Sequence, residues 1–250
     1  LLPNSWRTAM IVRRAGIPER WGYRTACRGP LLTRAPTPPV DVHQAVYYQH
    51  LVRALGVPTG APDARLLVTD EGRRSGHDLL LAAGWDGRRP LVALAPGSAY
   101  GGAKRWPAAS FAGLASALAA DGVGSVLVGG PADREAGLEV LAGVRAGTPI
   151  LDVMGRTDLP ALAGVLTCCR GLVSNDSGAM HVASALGVPV TALFGPTNEL
   201  ATHPIGSGAH TVLTHRVWCR PCMLRECPLD HRCLTGIDVR TALDAARRSL

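Results

Sequence analysis

At 250 residues and 47% hydrophobic, the chain carries enough apolar material for one large domain or two ordinary ones, and it contains no apolar run of the roughly eighteen residues that a bilayer span needs. Its net charge of +7 and pI near 9.4 raise nucleic acid as a partner, but the arginines are scattered along the whole length, aromatics make up only 4%, and no helix-turn-helix, finger or RNA-binding pattern is present, so no nucleic acid is expected. An acidic small molecule or a phosphorylated acceptor at a membrane surface fits the charge as well. Seven cysteines, an odd number, in a chain whose opening LLPNSWRTAM has no basic and apolar leader pattern argue for a reducing compartment, and that opening, without a Met, reads as the interior of a longer chain.

In chain order, residues 6–34 carry an apolar helical patch followed by Gly22, Gly29 and Pro30, and TRAPTPP at 33–39 is a Pro-rich connector. Residues 42–55 place Val42, Val46, Leu51 and Leu55 near helical spacing and stop at Gly56. Residues 66–69 read as a short strand and 74–83 as a helix ending at Gly84. The stretch 85–90, with Gly87, is the expected boundary, dividing the chain into domains 1–84 and 85–250. From Leu91 the pattern alternates regularly. Strands at 91–95, 125–128, 150–153, 171–174 and 190–194 are interleaved with helices at 108–120, 134–144, 159–166 and 179–186. Continuous apolar strands separated by helices describe an α/β fold with a doubly wound parallel sheet. In such sheets ligands bind beyond the carboxyl ends of the strands.

The loops at those ends hold a large share of the polar residues. Of 26 basic residues only Lys104 is a lysine, and it lies in the Gly-rich stretch PGSAYGGAKRWP between the first strand and its helix. Strand, Gly-rich loop with lysine, then helix is a geometry that delivers an anion to a helix N-terminus, and a compact ammonium suits a tight loop better than a planar guanidinium. Ser98 precedes it in the same loop. The second loop offers Gly129, Gly130, Asp133 and Glu135, the third Met154 and Gly155, and the fifth Gly195 to Asn198. In the fourth, NDSGAMH puts Asp176 or Ser177 at a helix start with Ser177 and Gly178 amides free for an anion, and His181 one turn further on.

Four blocks in order and at these separations, PGSAYGGAKRWP, VLVGGPADREAG, SNDSGAMHVASALGVPVTALFGPTN and CRPCMLRECPLDHRCLTGI, resemble the ADP-heptose:lipopolysaccharide heptosyltransferase family, most of all its heptosyltransferase II type. The opening LLPNSWRTAMIVRRAGIPERWGYR is similar to the later part of that family's N-terminal domain, so the resemblance covers essentially the whole chain. It implies a GT-B-type glycosyltransferase, with a Rossmann-like C-terminal domain for the nucleotide-sugar and a partial N-terminal Rossmann-like domain on the acceptor side. It implies inverting, metal-independent transfer of heptose from ADP-heptose to a lipopolysaccharide inner-core or related anionic glycan or glycolipid, with no cofactor. The site is then cytoplasmic, with a peripheral contact at the inner face of the cytoplasmic membrane. By the same resemblance Ser98 and Lys104 meet the donor diphosphate, Lys104 stabilising the leaving group. Asp176, Ser177, Gly178 and His181 form the second donor motif, Met154 lies in the loop beside adenine, and Glu135 reaches the ribose. The family's general base, an Asp of the first strand-to-helix loop, belongs upstream of Leu1.

Cys219, Cys222, Cys227 and Cys233 form C-x2-C-x4-C-x5-C, which has the ligand types of a zinc site at a spacing shorter than the usual knuckles. Reduced cysteines that organise a loop are the alternative. Arg216, Arg220, Arg225 and Arg232 around them face either an anionic acceptor or solvent, and Cys168 and Cys169 read as structural. Two other functions stay open at this point: a donor-binding remnant without turnover, and a zinc-stabilised interaction module.

Overall fold

The computed structural model describes residues 1–250 as two compact units, one comprising Leu1–Pro62 with Leu200–Thr202, the other Asp63–Glu199 with His203–Leu250. The smaller unit holds helices α1 (Trp6–Arg14) and α2 (Gln44–Ala54) and no strand beyond an isolated bridge between Trp21 and Arg34. Its centre is polar. Arg28 is fully buried and spreads its guanidinium over the carbonyls of Tyr23 and Pro3 and the side-chain oxygen of Asn4. Tyr23, also fully buried, donates to the Tyr47 carbonyl at 2.8 Å.

The larger unit begins with α3 (Asp70–Ala82) and continues β1 (Leu91–Ala95), α4 (Ala108–Ala120), β2 (Gly124–Leu127), α5 (Arg134–Gly143), β3 (Ile150–Asp152), α6 (Leu159–Thr167), β4 (Gly171–Asn175), α7 (Gly178–Ala185) and β5 (Val190–Phe194). After a short α8 (Glu199–Thr202) come β6 (His210–Thr214), α9 (Arg232–Thr235) and α10 (Val239–Arg247). All six strands are parallel in the order β3-β2-β1-β4-β5-β6, the Rossmann-like arrangement. Strands β1, β4 and β5 are buried along their whole length, as expected of central strands covered on both faces. One face is closed by Leu114 and Leu118 of α4, Val140 of α5 and Ala242, Leu243 and Ala246 of α10. The other is closed by Leu80 of α3, Val165 and Leu166 of α6 and Met180 and Ala183 of α7.

The regular alternation from Leu91 onward is therefore present, with additions and one loss. Residues 210–214 form a sixth strand and residues 239–247 a tenth helix, neither anticipated from the sequence. Residues 66–69, expected as a strand, form none: they have no neighbouring strand, and the Leu66 amide donates to Ala185 O at the end of α7. Thr69 instead caps α3, its hydroxyl accepting from the Gly72 amide at 3.1 Å.

Helix α3 precedes the expected boundary at 84/85 but packs with the sheet. Three glycines bring α3 and α6 into backbone contact. A Cβ on Gly76 would fall 2.3 Å from the Val165 amide nitrogen, and one on Gly164 would fall 2.0 Å from the Gly72 carbonyl oxygen. Gly76→Ala is expected to lower the unfolding free energy by about 1–3 kcal/mol, the range for overpacking a close contact. A urea unfolding midpoint equal to that of the unaltered chain would show that the two helices do not approach this closely.

Candidate functional site

The strand order reverses between β1 and β4, so the loops that leave these neighbours diverge and open a crevice at their carboxyl ends. The β1 loop is shaped at its far end by Trp106, which is 1% exposed, stands edge-on to Phe111 at 5.0 Å and donates its indole N–H to Ile237 O. At the near end it is clipped to β4 by Asn175, the fully buried last residue of that strand. Asn175 Oδ1 accepts from the Trp106 amide at 2.9 Å, while Nδ2 donates to Pro96 O at 2.8 Å and Gly97 O at 3.3 Å.

This clip brings two sequence motifs together. Lys104 Nζ lies 2.6 Å from Asp176 Oδ2, and the same oxygen accepts from Thr197 Oγ1 at 2.7 Å, tying the loop after β5 to the pair. The Lys104 ammonium also sits 4.6 Å from the centre of the Tyr100 ring, where the negative face of the aromatic system attracts a cation. Next to the pair α7 begins at Gly178. Its preceding residue Ser177 is extended and leaves the helix without a side-chain cap, because its hydroxyl lies 3.0 Å from Ser174 Oγ instead. The first-turn amides thus have no side-chain acceptor and carry the positive end of the helix dipole.

A pocket of about 290 Å³ lies in the crevice, its rim formed by Gly97, Ser98, Gly130, Asp133, Ser177 and Gly178 among others. Gly178 has open space where a Cβ would be, so backbone faces the opening. Ser98 is 5% exposed and its hydroxyl has no partner, an uncompensated buried donor and acceptor in the pocket wall. Asp133 lies over Gly97 so closely that a Cβ there would fall 2.1 Å from its carboxylate, and Asp133 Oδ2 accepts from the Gly130 amide at 3.0 Å.

Of the residues singled out in the sequence, Ser98, Ser177 and Gly178 line the pocket, and Lys104 and Asp176 pair beside it. His181, one turn into α7, does not line the pocket. Met154 is buried, with its side chain filling the space left by Gly129 and Gly137 beneath the pocket. Glu135 is exposed on α5 and does not line the pocket; Asp133, two residues earlier, does. Asn175 and Thr197, which hold the lysine and its partner, were not assigned roles from sequence, nor was the wall formed by Thr157, Asp158 and Leu159. The Asx cap of α6, Asp158 Oδ1 accepting from Ala161 N at 2.8 Å, was the available signal for that wall.

The four cysteines of the C-terminal segment are free thiols lining a separate cavity of about 530 Å³ with His215, Trp218 and His231. Burial is the first cause that pushes the Cys233 thiol pKa up, and its three neighbouring thiols add to it. No group of three or more His, Cys, Asp or Glu side chains is disposed to hold a metal ion. No helix is long and apolar enough to cross a membrane.

Comparison with known proteins adds an independent line. Residues 1–232 match the family model described as Glycosyltransferase family 9 (heptosyltransferase). The chain is 34% identical over 224 residues to lipopolysaccharide heptosyltransferase 2 of Salmonella typhimurium and 32% identical to that of Escherichia coli. Each match covers 85% of this chain and 63% of the relative, so the chain spans less than two thirds of the length of these proteins. Among solved structures, E. coli ADP-heptose lipopolysaccharide heptosyltransferase II superposes with a TM-score of 0.76 at 28% identity, over 99% of this chain and 74% of that one. A family 9 glycosyltransferase from Veillonella parvula gives 0.79 at 25% identity, over 99% and 72%. An E. coli heptosyltransferase solved with ADP shares the fold, with a TM-score of 0.65 at 17% identity.

The charges around His181 make its titration a direct probe of the Lys104–Asp176 pair. Desolvation lowers its pKa first of all, Asp176 opposes this, and Lys104 and His203 lower it further. By NMR the ring is expected to titrate below the ordinary histidine value of about 6.5, so that it is neutral at pH 7. Asp176→Asn should move the midpoint further down and Lys104→Met should move it up. A midpoint above the ordinary value, or one indifferent to both substitutions, would place His181 outside the field of the pair.

Proposed function

This chain belongs to glycosyltransferase family 9 (heptosyltransferase), and on that premise we propose that its strand-end pocket binds the nucleotide-sugar ADP-heptose for transfer of heptose to a lipopolysaccharide inner-core or related anionic glycan. The observation that carries this reading is the convergence of Lys104 and the α7 N-terminus, from segments 72 residues apart, on one crevice.

The reaction needs a base on the acceptor and charge stabilisation on the donor. In an inverting displacement the acceptor hydroxyl oxygen forms a bond to the anomeric carbon as the carbon–oxygen bond to the diphosphate breaks, and ADP leaves with the electron pair. Negative charge therefore grows on the diphosphate in the transition state. Lys104 and the amides of Ser177, Gly178 and Ala179 are fixed before the reaction and are not reorganised during it, which is the condition for electrostatic stabilisation of a leaving group. Asp176 and the Tyr100 ring keep the ammonium in place between turnovers. The free hydroxyl of Ser98 supplies a further donor to phosphate oxygen. Asp133 is the carboxylate suited to the ribose hydroxyls in place of Glu135, because it faces the pocket. His181, neutral at pH 7, serves a sugar hydroxyl better than a phosphate. The base that removes the acceptor proton is expected upstream of Leu1, so these residues form the donor half of the reaction. The arginine excess suits a phosphorylated glycolipid acceptor at the cytoplasmic face of the inner membrane.

Lys104→Ala is expected to weaken ADP binding about 10- to 100-fold in isothermal titration, corresponding to about 1.5–3 kcal/mol for a charge-assisted hydrogen bond. Lys104→Arg should restore part of this, since guanidinium keeps the charge but not the compact geometry. Gly178→Val, which puts bulk into the open approach to the α7 amides, should abolish ADP binding with the circular dichroism spectrum retained. ADP affinity unchanged in both Lys104→Ala and Gly178→Val would refute the assignment.

A further inference from the structure

The loop that carries Lys104 is held on its inner side by Asn175, but its outer side is held by a segment remote in sequence. Residues 223–231 have no regular secondary structure before the start of α9, yet they run across the loop and bond to it at four points. Tyr100 Oη donates to Met223 O at 2.6 Å, the Gly102 amide donates to Glu226 Oε1 at 3.0 Å, and the Ala103 amide donates to Arg225 O at 2.9 Å. His231 Nε2 lies 2.6 Å from Ala103 O; a carbonyl can only accept, so the ring carries its proton on Nε2. The two glycines are needed for this contact. Gly101 has φ +149°, and a Cβ on it would fall 2.4 Å from Arg225 O, while one on Gly102 would fall 2.6 Å from the Glu226 carboxylate.

The same stretch also reaches the partner of the lysine. The Met223 amide donates to Pro196 O at 2.9 Å, and three residues ahead of the strap Arg220 donates through Nε to Gly195 O at 2.6 Å and through Nη2 to Thr197 O at 3.2 Å, with Glu199 2.7 Å away as its counter-ion. Thr197 in turn holds Asp176. Arg220 and residues 223–231 therefore fasten the β1 loop that carries Lys104 and the β5 loop whose Thr197 holds Asp176.

We infer that residues 223–231 act as a strap that sets the position of Lys104, with Glu226 and His231 as positioning residues for the donor phosphates; this rests on the reading of Lys104 as a diphosphate contact. Neither residue lines the donor pocket, so each acts through the loop backbone. Glu226 takes up the Gly102 amide two residues before the lysine, and His231 takes up the carbonyl immediately before it. The strap limits the conformations of the Gly-rich loop before a ligand arrives, and binding then loses less entropy.

The test is a double-mutant cycle on ADP affinity, with amide hydrogen exchange at Gly102 and Ala103 as a second readout. Glu226→Ala is expected to weaken ADP binding about fivefold, the effect of one backbone hydrogen bond lost, and to speed exchange at both amides with the thermal midpoint preserved. Glu226→Gln keeps an acceptor oxygen and should recover most of the affinity. In a Lys104→Ala background Glu226→Ala should have no further effect, because the group it positions is gone. An unchanged affinity in Glu226→Ala, or an equal loss in both backgrounds, overturns the strap while leaving the donor site standing. An unaltered affinity in Lys104→Ala alone takes down the donor-site reading and the strap with it. Should Glu226→Ala fail to fold, Tyr100→Phe removes only the bond to Met223 O, and the same cycle with Lys104→Ala decides the question.

Discussion

The site depends on one buried amide. Asn175 ends the central strand β4 and satisfies both ends of its side chain on the backbone of the neighbouring loop, one oxygen to the Trp106 amide and one nitrogen to the Pro96 and Gly97 carbonyls. Asp in its place would leave the two carbonyls without a donor, and Leu would strand the Trp106 amide as well, in a site that water does not reach, at a cost of about 1–3 kcal/mol for each group stranded. Its position is fixed in turn by strand pairing, since β4 lies between β1 and β5 in the middle of the sheet. The rigid part of the molecule thus specifies where a flexible Gly-rich loop turns back, and the lysine inherits that precision.

On the proposed reading of Lys104 as a phosphate contact, a carboxylate beside it looks counterproductive, because Asp176 offers the ammonium an anion of its own. The arrangement is intelligible if the pair is viewed as a store for the lysine. A long side chain on a Gly-rich loop has many rotamers to lose on binding, and Asp176, itself held by Thr197, has already removed most of them. A diphosphate bound as proposed would share an ammonium that is already in place.

Much of the fold was legible in sequence for a simple reason. Parallel strands buried on both faces appear as unbroken apolar runs, and LVALA and VTALF were bounded to the residue. The edge strand HTVLT is exposed at both ends and half-buried between, so its hydrophobic signal is diluted, and it was missed. Residues 66–69 show the reverse: an apolar run that no strand pairs with. Helix α3 was assigned to the first domain because the Gly-containing stretch 85–90 read as the boundary, whereas Gly72, Gly76 and Gly164 bring it against α6. The site divides in the same way. Lys104, Ser177 and Gly178 announce themselves within single loops, while Asn175, Thr197 and Glu226 gain their roles only from partners 21 to 124 residues away. Asp133 and Glu135 differ only in which way two successive turns of chain face, and that direction is not written in a local pattern.

Because Lys104 is the sole lysine among the 250 residues, they carry one ε-amine, and it is the one paired with Asp176 beside the pocket. An amine-directed reagent therefore finds a single lysine side chain among these residues. The lysine side chain is 13% exposed and engaged with a carboxylate, so its acylation reports on the integrity of the bridge, and a bound anion that covers it should protect it. With arginine at 25 of the 26 basic positions, these residues hold one lysine that can serve as a built-in chemical reporter.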